Sequence, residues 1–157
     1  MSITAVRAYL TRFGLDSKVL EFPVSSATVE LAAEAAGVIP ARIAKSLSLK
    51  VDGEAILIVT AGDAKVDNAK FKAAFHSKAK MLTPDEVAEM IGHAIGGVCP
   101  FGIKEGVKVY LDESMKRFDS VFPAAGSSNS AIELTCDQLE QVAQNCQGWG
   151  DFCKGWA

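Results

Sequence analysis

No run of apolar residues in this chain approaches the roughly 18 that a membrane-spanning helix needs. Met1 to Leu10 is broken by polar and charged positions and does not read as a secretory signal. Histidine is scarce, with two in 157 residues. There is no Gly-x-Ser-x-Gly elbow, no P-loop and no strand-to-helix glycine fingerprint of a dinucleotide site. Cys99, Cys136, Cys146 and Cys153 are spaced neither as paired zinc ligands nor as a dense disulfide framework. They read as free thiols of a reducing cytoplasm, with a Cys146–Cys153 disulfide as the alternative. These absences argue against a serine triad and a bound metal, and no cofactor is expected. Any chemistry must then come mainly from positioning and backbone electrostatics.

What is present is globular. At 49% hydrophobic and 22% charged, the chain has apolar material for a core without staples. Its length suits one domain over residues 1–157. A net charge of −3 does not announce a nucleic-acid binder. Locally the balance reverses: Lys65, Lys70, Lys72, Lys78 and Lys80 face a single acid, Asp67, with His76 among them. Such a run is either a solvated helix face or a set of phosphate contacts, and charge alone does not choose.

Helix and strand signals are intermixed. Ser2 is placed to cap a helix carrying Val6, Leu10 and Phe13, with Gly14 as its stop. Lys18 to Phe22 reads as a short strand. Thr28 caps an alanine-rich helix with Leu31 and Ala35 on one face and Gly37 beyond its end. Pro40 opens a short helical turn leading to Lys45. Leu47, Leu49 and Val51 then alternate with Ser46, Ser48 and Lys50, the pattern of a half-buried strand. Asp52-Gly53 is a hairpin signal, and the return strand Glu54 to Ala61 is apolar on both faces, as at the centre of a sheet. Asp67 caps a basic helix through Phe71 and Phe75. Lys80 to Leu82, Val107 to Leu111 and Ala131 to Leu134 read as further strands. Thr83-Pro84-Asp85-Glu86 and Thr135 with Gln138 are capping boxes. The expected class is α+β: a single domain with a mixed, mainly antiparallel sheet, partly barrel-like and flanked by helices.

Three features carry possible chemistry. The loop from Gly92 to Gly102 contains Gly96, Gly97 and Pro100, so backbone there comes close to something, and successive N–H groups can hold an anion or a polarised carbonyl. The loop Pro123 to Ser130 offers small hydroxyl side chains, suited to binding ribose or phosphate, or to capping a turn. Lys45 stands at a strand start, where an ammonium neutralises phosphate or a developing oxyanion, or is simply solvated. His93 is either a general base or a brace of its loop. Cys99 has no base partner identifiable from spacing and reads as a buried or pocket-lining thiol.

The order of these features is specific. Ala44-Lys45-Ser46-Leu47, the Asp52-Gly53 hairpin, Ala61-Gly62-Asp63 with Asp67, the 92–102 loop, Val109 to Glu113, and Ala125-Gly126-Ser127-Ser128 before Ile132-Glu133-Leu134 form a series. It resembles the YbaK/prolyl-tRNA synthetase-associated family from about Val24 to the last helix. That resemblance implies a deacylase that hydrolyses the ester of mischarged tRNA, mostly tRNA for proline carrying alanine or cysteine, with some members acting on serine or threonine. By the same resemblance Lys45 matches the essential lysine, and Gly96 and Gly97 lie in the Gly-x-x-x-Pro loop that positions the ester carbonyl. His93, Val98, Cys99, Pro100, Phe101, Gly126, Ser127 and Ser128 would line the substrate pocket. Lys65, Lys70, Lys72 and Lys78 would meet tRNA. The implied partners are the acceptor end of mischarged tRNA and an aminoacyl-tRNA synthetase, with no membrane and no DNA. The tail Gly148 to Trp156 lies outside the shared pattern; it packs on the body, covers the pocket or joins a dimer. A non-catalytic tRNA- or nucleotide-binding module and a Lys45 Schiff-base enzyme are the competing readings.

Overall fold

A computed structural model describes residues 2–156, with the side chain of Ser2, and hence its expected capping role, outside that description. The chain begins with helix α1 (Ser2–Thr11) and strand β1 (Leu20–Glu21). Helix α2 (Val29–Ala36) starts at Thr28, whose hydroxyl accepts the Leu31 N–H, and stops at left-handed Gly37. Its buried face is Ala32 and Ala33; of the face shared by Leu31 and Ala35, Leu31 is exposed and Ala35 half-buried. A 3-10 turn over Pro40–Arg42 delivers the chain into β2 (Ile43–Val51).

Asp52 and Gly53 both take positive φ, 51° and 79°, and fold β2 back on β3 (Glu54–Ala61). Next come β4 (Lys65–Val66), α3 (Asn68–Phe75) capped by the Asp67 carboxylate, and α4 (Pro84–Glu86). The α4 capping box is complete: Glu86 N–H reaches the Thr83 hydroxyl at 3.2 Å and Thr83 N–H the Glu86 carboxylate at 2.9 Å. That helix continues as a π turn over Val87–Ile91, which Gly92 ends at φ 99°. Then follow β5 (Lys108–Asp112), β6 (Ser120–Pro123), β7 (Ser130–Ala131), β8 (Leu134–Thr135), α5 (Cys136–Val142) from the second capping box, β9 (Cys146–Gly150) and β10 (Cys153–Lys154).

The fold is α+β with a mixed six-stranded sheet in the order β8-β6-β2-β3-β5-β9. The β2–β3 hairpin is antiparallel over eight residue pairs, whereas β5 joins β3, β9 joins β5 and β6 joins β2 in parallel. β3 lies inside the sheet because both its faces are apolar. Leu57 and Val59 enter the main core with Phe101, Leu111, Ile132 and Leu134; Ile56 and Ile58 enter a second cluster with Leu49, Phe71 and Phe152. Two expected strands differ. Lys80 to Leu82 makes one bridge, Met81 to Leu49. Ala131 to Leu134 is split, since Ala131 pairs with β1 and Leu134 with β6.

The tail packs on the body. β9 extends the sheet and β10 pairs with β4. Buried Asp112 fastens this strap, accepting the Phe152 N–H at 2.8 Å and the Ser114 N–H at 3.0 Å. All four cysteines are free thiols, so the Cys146–Cys153 alternative is excluded. No helix among the described residues is long and apolar enough to cross a membrane.

Candidate functional site

The β2 edge opposite β3 is only partly covered. Its pairing with β6 stops at Ala44, and the next contact on that edge is the Leu49–Met81 bridge. The stretch between them, which includes Lys45 and Ser46, opens onto a pocket of about 260 Å³; at Ser48 the carbonyl already accepts the Leu82 N–H at 3.0 Å. Residues opposite one another in an antiparallel pair share a face, so the two sides of the opening differ. Lys45 pairs with Thr60 and lies on the face toward β10, whereas Ser46 pairs with Val59 and lies on the main-core face. Thr28, Val29 and Ala32 of the α2 segment line the pocket, as do Met81, Leu82, Val87, Ile95, Gly96 and Val98, with Gly96 packed beside Ala27.

Lys45 is half-buried, and no hydrogen bond or ion pair reaches its ammonium among the described residues. Desolvation holds its pKa below the ordinary lysine value, a shift opposed by the Cys153 thiol and the Asp63 carboxylate. Asp63 is itself gripped by Arg117 through bonds of 2.6 and 3.0 Å, and these lower its pKa.

The glycine loop reaches the pocket through Gly96 and Val98. Gly97 lies behind them, buried, where an added Cβ would sit 2.7 Å from Gly126 C and Ser127 N. Its N–H donates to the Ala94 carbonyl at 3.0 Å, which leaves the Gly96 and Val98 N–H groups without a protein partner among the described residues. Loop 123–130 thus packs on loop 92–102, and it also holds the segment before α2. Ser26 N–H reaches the Ser128 carbonyl at 2.6 Å, Phe22 N–H reaches the Asn129 carbonyl at 2.7 Å, and Ser127 bonds Ser130.

Of the expected residues, Lys45, Gly96 and Val98 line the pocket together, whereas Cys99, Pro100, Phe101, Gly126, Ser127 and Ser128 are not among its lining residues: Gly126 and Ser127 pack against Gly97 and Ser128 against Gly96, Cys99 and Phe101 lie in the main core, and the Pro100 carbonyl accepts the Gln144 N–H. His93 is buried, its Nε2 2.7 Å from the Phe101 carbonyl, and burial lowers its pKa; neutral, it braces the loop. The Cys99 thiol is buried and pushed up to about 12, which leaves it protonated near neutral pH. Lys65, Lys72 and Lys78 are exposed, whereas Lys70 bonds Asp151 and the Cys153 carbonyl at 2.9 Å. Sequence reasoning missed Ser26, Ser46 and Ser48 as pocket residues. In β2 the two serines alternate with apolar positions and so read as the solvent face. Among the described residues, no group of three or more His, Cys, Asp or Glu is placed to hold a metal ion.

A model of the aminoacyl-tRNA editing domain family matches residues 24–142, which covers both loops, Lys45 and the pocket. The chain belongs to this family. As an editing domain it has relatives of two kinds. The uncharacterized protein YwhH of Bacillus subtilis is 54% identical over 157 residues, 99% of each chain. A proline–tRNA ligase of Bacillus licheniformis is 30% identical over 119 residues, 75% of this chain; the match spans 20% of the ligase. Among solved structures, a protein described as a candidate trans-editing enzyme for prolyl-tRNA synthetase superposes with a TM-score of 0.87 at 31% identity, covering 98% of each chain.

Proposed function

We propose that this editing domain is a trans-acting deacylase that hydrolyses the ester of mischarged tRNA, with tRNA for proline carrying a small amino acid (alanine, cysteine, serine or threonine) as its substrate. The observation that carries the reading is the meeting, in one pocket, of a half-buried ammonium without a protein partner and a glycine loop with unpartnered N–H groups. An aminoacyl ester is already activated. Donors aimed at its carbonyl and a positioned water supply what hydrolysis needs, with donor loss costing about 10²–10³ in rate in comparable sites. The Gly96 and Val98 N–H groups receive the carbonyl oxygen, and Gly97 keeps the loop close to its support. Lys45, across the strand, neutralises the terminal phosphate or the developing oxyanion. The ribose hydroxyl beside the ester is placed to assist the water.

Of the four lysines expected to meet tRNA, Lys65, Lys72 and Lys78 are exposed and would follow the acceptor strand, so binding weakens as salt rises. A synthetase partner would add contacts that a chain of net charge −3 otherwise lacks.

One observation favours the non-catalytic binding module: the pocket is lined by neither carboxylate nor imidazole. Turnover separates the two readings. With tRNA for proline charged in turn with alanine, cysteine, serine, threonine and proline, the deacylase reading expects multiple-turnover release of at least one small amino acid and sparing of proline. Salt-sensitive tRNA binding without release of any amino acid would establish the binding module instead.

A further inference from the structure

Three buried side-chain nitrogen or oxygen atoms among the described residues have no hydrogen-bond partner: Ser26 Oγ, Ser46 Oγ and His93 Nδ1. Two of the three belong to the pocket wall. Ser26 is 7% exposed, and Ser48, 5% exposed, stands two residues from Ser46 on the same strand face. Other buried polar groups are paired: Thr60 with Ser114 and Cys153, Ser130 with Ser127, and Asp112 with two backbone N–H groups. Of the pocket's own hydroxyls, Ser130 is bonded to Ser127 and Thr28 caps α2, whereas those of Ser26 and Ser46 are left open. The wall around them is apolar, made by Leu82, Val87, Val98, Ala124 and Ala131.

Resting on the deacylase reading, we propose that the edited amino acid carries a β-hydroxyl, as serine and threonine do, and that Ser46 and Ser26 recognise it. A hydroxyl is at once donor and acceptor, so a seryl or threonyl side chain can accept from one serine and donate to the other. An alanyl methyl in the same place would shut both away from water without a partner, which is costly for a buried polar group. The asymmetry of the pocket supports this assignment. Lys45 stands on the opposite face of β2 from Ser46, so the ammonium and the serine hydroxyls meet different parts of a bound ester.

The test is kcat/KM for one tRNA charged with serine, threonine or alanine, measured with wild type, Ser46→Ala and Ser26→Ala, with thermal melting alongside. A pocket that hydrogen-bonds the substrate hydroxyl should favour serine over alanine by about tenfold or more. Each substitution should lower seryl and threonyl turnover about tenfold and raise alanyl turnover, because it removes a hydroxyl that the alanyl methyl would leave buried without a partner. Both variants should melt no lower than wild type, since each loses an unpaired buried hydroxyl; should one fail to fold, the other carries the comparison. Alanine hydrolysed as well as serine by wild type would overturn the inference. Equal loss on all three esters would also overturn it, and would assign the serines to the α-ammonium or to the fold. If no ester is hydrolysed, the deacylase reading falls first and this inference with it.

Discussion

Gly97→Ala perturbs the contact that holds the two pocket loops together. The added Cβ would lie 2.7 Å from Gly126 C and Ser127 N and 2.8 Å from Gly126 O, where ordinary contact begins near 3.4 Å. All three neighbours are backbone atoms, so no side chain can swing aside and the loops must separate by about 0.7 Å. Overpacking of this kind costs about 1–3 kcal/mol. In a chain of this length each kcal/mol lowers Tm by about 2–4 °C. The same displacement moves Gly96 and Val98 relative to Lys45, and a shift approaching 1 Å in a positioned site costs up to about 10²-fold in rate. Urea unfolding should show a lower midpoint with an unchanged slope, and deacylation by the folded fraction should fall about 10- to 100-fold. A variant that unfolds and hydrolyses as wild type does would refute the claim that this loop contact sets the pocket geometry.

Asp112→Ala leaves the Phe152 and Ser114 N–H groups buried without an acceptor; two such losses should destabilise the fold by about 2–4 kcal/mol, with hydrogen exchange at Phe152 accelerating more than at the β3 amides. Glu86 is held down to about 2, below its ordinary value of 4.5, first by Lys50 and then by the Thr83 N–H. A carboxylate with a lowered folded-state pKa stabilises the fold above its unfolded value and loses that contribution as pH falls toward the folded one. Wild-type stability should therefore decline between about pH 4.5 and 2, and Glu86→Gln should flatten that part of the acid-unfolding profile; identical profiles would show that the Lys50 contact is not maintained in solution.

Much of this fold is local in origin and therefore legible. Asp52-Gly53 needs two positive φ values, Thr83 and Thr135 close capping boxes, and β3 is apolar on both faces, so each follows from its own few residues. β9 and β10 were not legible, because Gly148, Gly150 and the flanking cysteines carry no strand pattern; their pairing comes from Asp112 and the edges of β5 and β4. The buried face of α2 was not legible, because it is made by Ala32 and Ala33, less conspicuous in sequence than exposed Leu31. At the site, the glycine loop was visible as an unusual feature, whereas Lys45 stood out only through the family resemblance. The pocket serines were not visible: alternation in β2 predicts a solvent face wherever serine recurs, and only the gap between β6 and Met81 turns that face into a pocket wall.

The most direct test of the account is single-turnover hydrolysis of mischarged tRNA by saturating wild type and Lys45→Ala, with the melting temperature of each recorded. If the half-buried ammonium acts on the terminal phosphate or the developing oxyanion, the variant should keep its fold and hydrolyse the ester about 10²-fold more slowly. A folded Lys45→Ala protein that hydrolyses the ester within about twofold of wild type would contradict it.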